Sequence, residues 1–407
     1  MTQTHTTLHD PVLAEIKPTH FKYKGPKKFA TAIDIARHYG FQLIEPVKPK
    51  RALSRKAREV QGKTKRDKSG EWYIHLEDKF AELNKYINDM EGWPQPPLIC
   101  HTLHPRRKVG KVRLSMFGCD KTISEGLIIA TALSILGELG HKNLGVDINC
   151  VGNRETKQKW AEQFKEHIKK NLNDVRPTCQ TIFKQDPLQL TTCDDEICRD
   201  ITARAPKTLS YLHKADRQHL KDICEYLEAI EAPYRINNSL VGSYHHDSHT
   251  IFHIRAFNDE GEASGPVLAR GERHHSVAGH IGYQRSIPTI SASIDVPGGR
   301  RESYKSISEK EVERPKVYYI HLGNRAKKQS LPVLEKLRQE GITVLQSLTR
   351  DKIRDQIIAA EQMNIPHAII MGEKEAQENS VIIRDMLSRA QDTFPIDQVA
   401  SYIKKSL

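Results

Sequence analysis

LVGSYHHDSHTIFH, residues 240–253, sets an apolar strand pattern against four imidazoles. Leu240, Val241, Ile251 and Phe252 are residues that strands bury, yet His245, His246, His249 and His253 crowd the same stretch. On a regular strand His245, Asp247, His249, Ile251 and His253 project to one side, because alternate positions share a face. Two readings follow. His245, Asp247 and His249 form a three-ligand set of the kind zinc accepts, with His274, His275 and His280 on a strand that pairs nearby. Alternatively the imidazoles line the polar floor of a cleft and hold no metal. A hydrolase is disfavoured, since no Gly-x-Ser-x-Gly elbow is present and no cysteine lies in either histidine-rich stretch.

Around this stretch the chain runs to 407 residues, enough for two or three domains with their own cores. Hydrophobic residues make up 38 % and no apolar run reaches the ~20 residues of a spanning helix, so no membrane segment is expected. The N-terminus lacks a basic region followed by an apolar one, so no signal peptide is expected and the protein reads as cytoplasmic. Seven cysteines, an odd number scattered widely, argue against a disulfide framework. Cys193 and Cys198 are the one close pair. Their spacing exceeds a zinc knuckle and no second pair follows, so the sequence gives no structural zinc site there.

The net charge of +12 favours polyanionic partners, nucleic acid first. The charge is concentrated. Lys48, Lys50, Arg51, Arg55, Lys56, Arg58, Lys63, Lys65, Arg66 and Lys68 face only Glu59 and Asp67 in one segment. It reads either as a solvated loop or as an RNA-contacting arm over residues 48–70, and both can hold for one segment.

Residues 1–22 read as a tail. Helix is expected over 26–41 and around EDKFAELNKYINDM, a hairpin from LICHTL (98–103) and KVRLSMFG (111–118), and a helix over 123–140. Helices dominate 154–232. The stretches containing 240–253, VLARGERHHSVAGH and SIPTISASIDV read as strands. Residues 23–302 thus form a mainly antiparallel sheet wrapped by helices, and 303–315 a polar linker. From 316 to 407 strands and helices alternate, which predicts a small α/β domain with parallel central strands. LGNR after its first strand is not a dinucleotide fingerprint. Asn324, Arg325, Lys327 and Lys328 open a helix there, where basic side chains suit phosphate.

An antiparallel core followed by a small α/β domain on a basic chain resembles a class II aminoacyl-tRNA synthetase, and within that class the histidyl-tRNA synthetase family. PKKFATAIDIARHYGFQLIEP fits the family's first motif, ending at Pro46. Ser124, Glu125, Leu139, Gly140, Ile148, Asn149 and Gly152 match the helix and strand that follow the second motif. The family's histidine signature, Leu-Val-Arg-Gly-Leu-Asp-Tyr-Tyr-x-x-Thr-Val-Phe-Glu, aligns with 240–253 without a gap. Leu240, Val241, Thr250 and Phe252 keep the frame. The arginine becomes Gly242, Asp-Tyr-Tyr becomes His245-His246-Asp247, and the glutamate becomes His253. The second motif, TLHPRRKVG, has no glutamate. The third ends at Gly298 without its Glu-Arg pair. The Gly-Gly-Arg-Tyr-Asp-Gly loop becomes residues 271–276, keeping Arg273.

The resemblance implies an α+β fold: a class II synthetase-like antiparallel core with a helical insertion, plus a C-terminal anticodon-binding-type α/β domain. It also implies a homodimer and tRNA or structured RNA as partner. Amino-acid activation needs fixed cations at the ATP phosphate, and one lost donor typically costs ~10²–10³ in rate. With several positions altered, the expectation is a catalytically degenerate relative. RNA phosphates would meet Lys56, Arg58, Lys63, Lys65, Arg66, Lys68, Arg325, Lys327 and Lys328. The rival expectation is a working histidine–tRNA ligase using ATP and magnesium, with Arg106, Arg107, Arg273 or Arg300 as displaced substitutes. A third is a protein-binding regulatory subunit. A regulatory paralog of the family partners ATP phosphoribosyltransferase but generally lacks the last domain, which this chain keeps.

Overall fold

The computed structural model describes residues 23–61, 76–90, 97–104, 107–242, 249–298, 304–307 and 315–406. The chain opens on β1 (Tyr23–Pro26), and Pro26 caps α1 (Lys27–His38). Phe29, Ile33 and Ala36 recur at helical spacing and are buried on one side of α1. β2 (Gln42–Leu43) is only two residues long. Pro46 and Pro49 withhold the donors a longer ladder would need. α2 (Arg51–Gln61) and α3 (Leu76–Asp89) follow. The basic segment read as a loop or arm therefore begins as a helix. Leu53, Ala57 and Val60 recur three or four apart and pack against an apolar cluster, which gives α2 a face to bury.

β3 (Leu98–Leu103) and β4 (Val109–Phe117) form the expected hairpin. α4 (Ile123–Glu138) is buried on nearly every side. β5 (Leu144–Cys150) leads into the helical region, α5 (Arg154–Lys170), α6 (Pro177–Gln185), α7 (Glu196–Ala203) and α8 (Lys214–Ala229). Then come β6 (Tyr234–Ile236), β7 (Thr250–Phe257), β8 (Ala263–Arg273), the single turn α9 (Val277–His280), β9 (Thr289–Pro297) and β10 (Tyr304–Ile307). Two expectations need correction here. His274, His275 and His280 do not share a strand: β8 stops at Arg273 and His280 lies in α9. The segment read as linker contains β10, which pairs antiparallel with β1 from Tyr23↔Ile307 to Pro26↔Tyr304. A short polar strand carries no period strong enough to announce itself.

The large sheet has eight strands in the order β2-β3-β4-β9-β8-β7-β5-β6. All neighbours are antiparallel except the outer pairs β2–β3 and β5–β6. One face, through Leu114, Ile148, Phe252, Ala292 and Ile294, packs into the main core with α1 and α4. The other face carries a row of polar residues beside Ile99 and Phe117.

The C-terminal region contains β11 (Val317–His321), α10 (Asn324–Gln339), β12 (Val344–Gln346), α11 (Ile353–Gln362), β13 (His367–Met371), α12 (Glu373–Gln377), β14 (Ser380–Asp385), β15 (Gln391–Pro395) and α13 (Ile396–Ser406). Its sheet runs β12-β11-β13-β14-β15. The first three strands are parallel, and β14 and β15 form a hairpin. Alternate residues of β11 are buried on opposite faces, Val317 and Tyr319 on one and Tyr318 and Ile320 on the other. This region docks on the large one. Glu335 of α10 accepts from Tyr39, and from Ser134 at 3.1 Å. Lys121 donates to Asp351 and, at 3.1 Å, to the Thr349 carbonyl. Leu331 packs against Gly126 of α4, where a methyl group would sit 2.9 Å from its Cδ1.

Candidate functional site

The polar face of the large sheet follows from strand alternation and register. Cross-strand pairing sets His101 beside Arg113, Arg113 beside Ser293, and Ser293 beside Arg270. The row continues through His253 and Asp147 to Arg235. Sequence reading singled out His253 alone in this row. The others escaped it because only register brings residues from seven strands into line.

α3 lies over the β3-β4-β9-β8 part of this face. Glu82 accepts from Ser115 at 2.6 Å and meets His101 at 3.0 Å, and Ser115 meets Ser291 at 2.9 Å. Arg113, 2 % exposed, is held by Asp78 at 3.2 Å and by Glu82 at 3.8 Å. Lys79 pairs with Glu272 at 2.6 Å, both buried. Burial alone would raise the Glu82 carboxyl, but the Arg113 charge and the His101 bond outweigh it and hold Glu82 down to about 2.

Past α3 the row carries two further ion-pair groups. Asp295 meets Lys111 at 3.2 Å and Arg270 at 3.7 Å. Asp147 meets Arg235 at 2.8 Å and Arg255 at 3.7 Å. Among the described residues, each of these two carboxylates meets two cations. His253 adds no counter-charge. Burial, then Arg270 and Arg255, push its imidazole down to about 3, so it is neutral at physiological pH.

The opposite face holds a second polar cluster at the start of α4. Glu125 accepts from His219 at 2.8 Å, from Thr250 at 3.1 Å and from Arg273 at 2.5 Å. Arg273 also donates to the Cys119 carbonyl at 2.9 Å and lies 3.1 Å from His275. His249, at φ +57°, pairs with Asp216 at 3.0 Å and lies between the rings of His219 and His275. It precedes β7 rather than continuing it, so the single-strand geometry assumed for a His245, Asp247 and His249 metal set does not extend to it. His245, His246 and Asp247 lie outside the described residues, as do Arg106, Arg300, Lys63, Lys65, Arg66 and Lys68. Among the described residues, the one group spaced to hold a metal is Cys179, Cys193 and Cys198. A cavity of about 680 Å³ lies at the sheet edge between α8 and β6, away from the polar face.

Residues 316–406 match the family described as "Anticodon binding domain". A histidine–tRNA ligase of Geobacillus sp. strain WCH70 is 25 % identical over 339 residues, 79 % of this chain and 78 % of that protein. One from Staphylococcus saprophyticus is 23 % identical over 352 residues, 82 % of each. Over most of its length this chain is therefore similar to histidine–tRNA ligases, and its C-terminal region to an anticodon-binding domain. The crystal structure of apo S. aureus histidyl-tRNA synthetase aligns with 93 % of this chain and 95 % of its own at 18 % identity, with a TM-score of 0.49.

In this histidyl-tRNA synthetase-like chain the altered positions have specific surroundings. Gly242, at φ +62°, stands where the signature has arginine, in a backbone conformation that costs an arginine about 1 kcal/mol or more. Arg273 is wholly buried and points away from the polar floor, because Glu272 beside it points toward it. Arg107 is exposed in the β3–β4 turn, its amide bonded to the His104 carbonyl at 3.0 Å. Gly298 closes the end of the β4–β9 ladder through the Lys108 carbonyl. Lys328 reaches Glu225 of α8, and Lys327 pairs with Asp351, which Lys121 shares. The contact between regions, not open solvent, therefore receives these two lysines. Arg325 stays exposed, and on α2 Arg58 is exposed and Lys56 half-buried. No helix among the described residues is long and apolar enough to cross a membrane.

Proposed function

We propose that this histidyl-tRNA synthetase-like protein binds tRNA or a structured RNA without activating histidine. The carrying observation is α3, whose Asp78, Lys79 and Glu82 engage Arg113 and Glu272 on the sheet face. An arginine already fixed between two carboxylates has little field left for a phosphate in mid-reaction. Gly242, at the signature-arginine position, and Arg273, turned to the other face, support the same reading. Basic side chains are exposed where RNA would use them, Arg55 and Arg58 on α2 and Arg325 on α10, and residues 316–406 match the anticodon-binding family. The organisation this implies is a synthetase-like core over 23–302 with its insertion over 154–232, and an RNA-facing domain from 316. By resemblance the protein forms a homodimer.

A second reading is an active ligase using ATP and magnesium. Similarity to relatives named histidine–tRNA ligases favours it. Histidine-dependent pyrophosphate–ATP exchange decides between the two. No exchange above a no-histidine control, together with tRNA retention in a gel shift, is the expected result. Exchange at a rate typical of ligases, or an absence of RNA binding, overturns the proposal.

A further inference from the structure

Three thiols that the sequence scatters meet in the helical insertion. Cys179 and Cys193 stand Sγ to Sγ at 3.6 Å, and the sulfurs of Cys179, Cys193 and Cys198 all lie within 4.8 Å of one another. Each arrives by a separate local device. Cys179 is the third residue of α6, which Pro177 starts. Cys193 ends the 3-10 turn Pro187–Thr192, its amide bonded to the Leu190 carbonyl at 3.2 Å. Cys198 is the third residue of α7, its amide bonded to the Asp195 side chain at 3.1 Å. Cys179 and Cys198 thus both stand in the first turn of a helix.

We propose that Cys179, Cys193 and Cys198 are the three protein ligands of a zinc(II) site, with solvent in the fourth position. The spacing carries the argument. With Zn–S near 2.3 Å, the sulfur–sulfur edge of a tetrahedral site is about 3.8 Å, close to the 3.6 Å between Cys179 and Cys193. A disulfide needs about 2.05 Å, so the pair would have to move together to oxidise. Cys179 and Cys198 are buried in the insertion core, whereas Cys193 is half-buried and leaves an approach from solvent. Asp195 does not serve as fourth ligand, since one oxygen caps α7 and the other meets Arg176 at 2.7 Å. Three Zn–S bonds form as three thiol protons leave to solvent, so affinity rises with pH. Burial pushes the Cys179 and Cys198 thiols up. The ion would tie α6, the 3-10 turn and α7 together in an insertion whose own core is small.

The test uses the full chain purified under reducing conditions without chelator. Elemental analysis is expected to find about one zinc per chain, removable by chelator and restored by zinc alone. Cobalt(II) should give the thiolate charge-transfer band and the intense visible bands of a tetrahedral site. Cys193→Ser should weaken zinc binding on the order of 10²-fold or more, while Cys224→Ser, on α8, leaves it unchanged. The proposal is overturned if the reduced wild-type chain takes up neither zinc nor cobalt. It is equally overturned if Cys193→Ser binds as tightly as wild type, or if mass spectrometry finds a Cys179–Cys193 disulfide under those conditions.

Discussion

Glu125 shows how a family position persists while its surroundings define its use. Its carboxylate is wholly buried, and burial alone would raise it. The Arg273 and His219 charges reverse that and hold it well below the usual range. Removing one partner of such a pair strands the other, which typically costs ~3–5 kcal/mol. Glu125→Ala should lower the urea unfolding free energy by about that much, and Glu125→Ala with Arg273→Met should recover part of it. The histidines give a pH signature. His253 faces Arg270 and Arg255, and His275 faces Arg273, His249 and His219. Burial first, then the neighbouring arginines, push both imidazoles down to about 3. The unfolded chain takes those protons near pH ~6.5, so below that pH the unfolded state binds more protons. Stability is then full above about pH 6.5 and declines toward pH 3, by up to ~1.4 kcal/mol per pH unit for each imidazole. Below pH 4.5 the depressed Glu82 acts in the same direction. Denaturation midpoints from pH 7 to 4 measure the slope, and His253→Gln should flatten it.

α3 and α10 each take their positions from one apolar face and then decide what polar groups meet. α3 buries Leu76, Phe80 and Leu83 against Ile99 and Phe117, and the same turn of helix delivers Lys79 and Glu82 to the sheet. α10 buries Leu331, Leu334 and Leu337, so Lys328 and Glu335 fall on the contact with α8 and α1. Leu331→Ala should cost about 2–5 kcal/mol, because it empties a site closed by Gly126 and Tyr226. Hydrogen exchange is the readout: amides of α10 and α4 should exchange faster, with β14 and β15 unaffected. Equal protection in mutant and wild type would mean that Leu331 carries little of the docking.

For the whole molecule the consequence is electrostatic. If the proposed RNA binding holds, a chain of net charge +12 with an exposed Arg58 and Arg325 meets RNA through counterion release, which makes affinity fall with salt. Neutralising Lys56 and Arg58 to Gln should weaken RNA binding and flatten the slope of log K against log salt by about one for each phosphate no longer neutralised. The same test on Lys63, Lys65 and Arg66 reports on the rest of the segment. Lys327→Gln and Lys328→Gln should act differently, loosening the docked C-terminal region more than changing the salt slope, because carboxylates already hold them. Filter binding across a salt series separates the two effects.

By itself the sequence determined the elements with strong periods and firm ends. The helix of residues 123–138, the hairpin of 98–117 and the alternation after 316 were legible because apolar spacing and terminal glycines act locally. The family frame was legible too, through Leu240, Val241, Thr250 and Phe252. Only the tertiary structure decided the site. Arg113, Arg255, Arg270 and Asp147 stand on one face because eight strands keep register, and no single strand contains that information. It also turned Arg273 away from the floor, committed two lysines to docking, and brought Cys179 to a pair that looked alone. Secondary structure is set by neighbours a few residues apart. A site is set by contacts across more than a hundred residues of chain, which form only when the whole core packs.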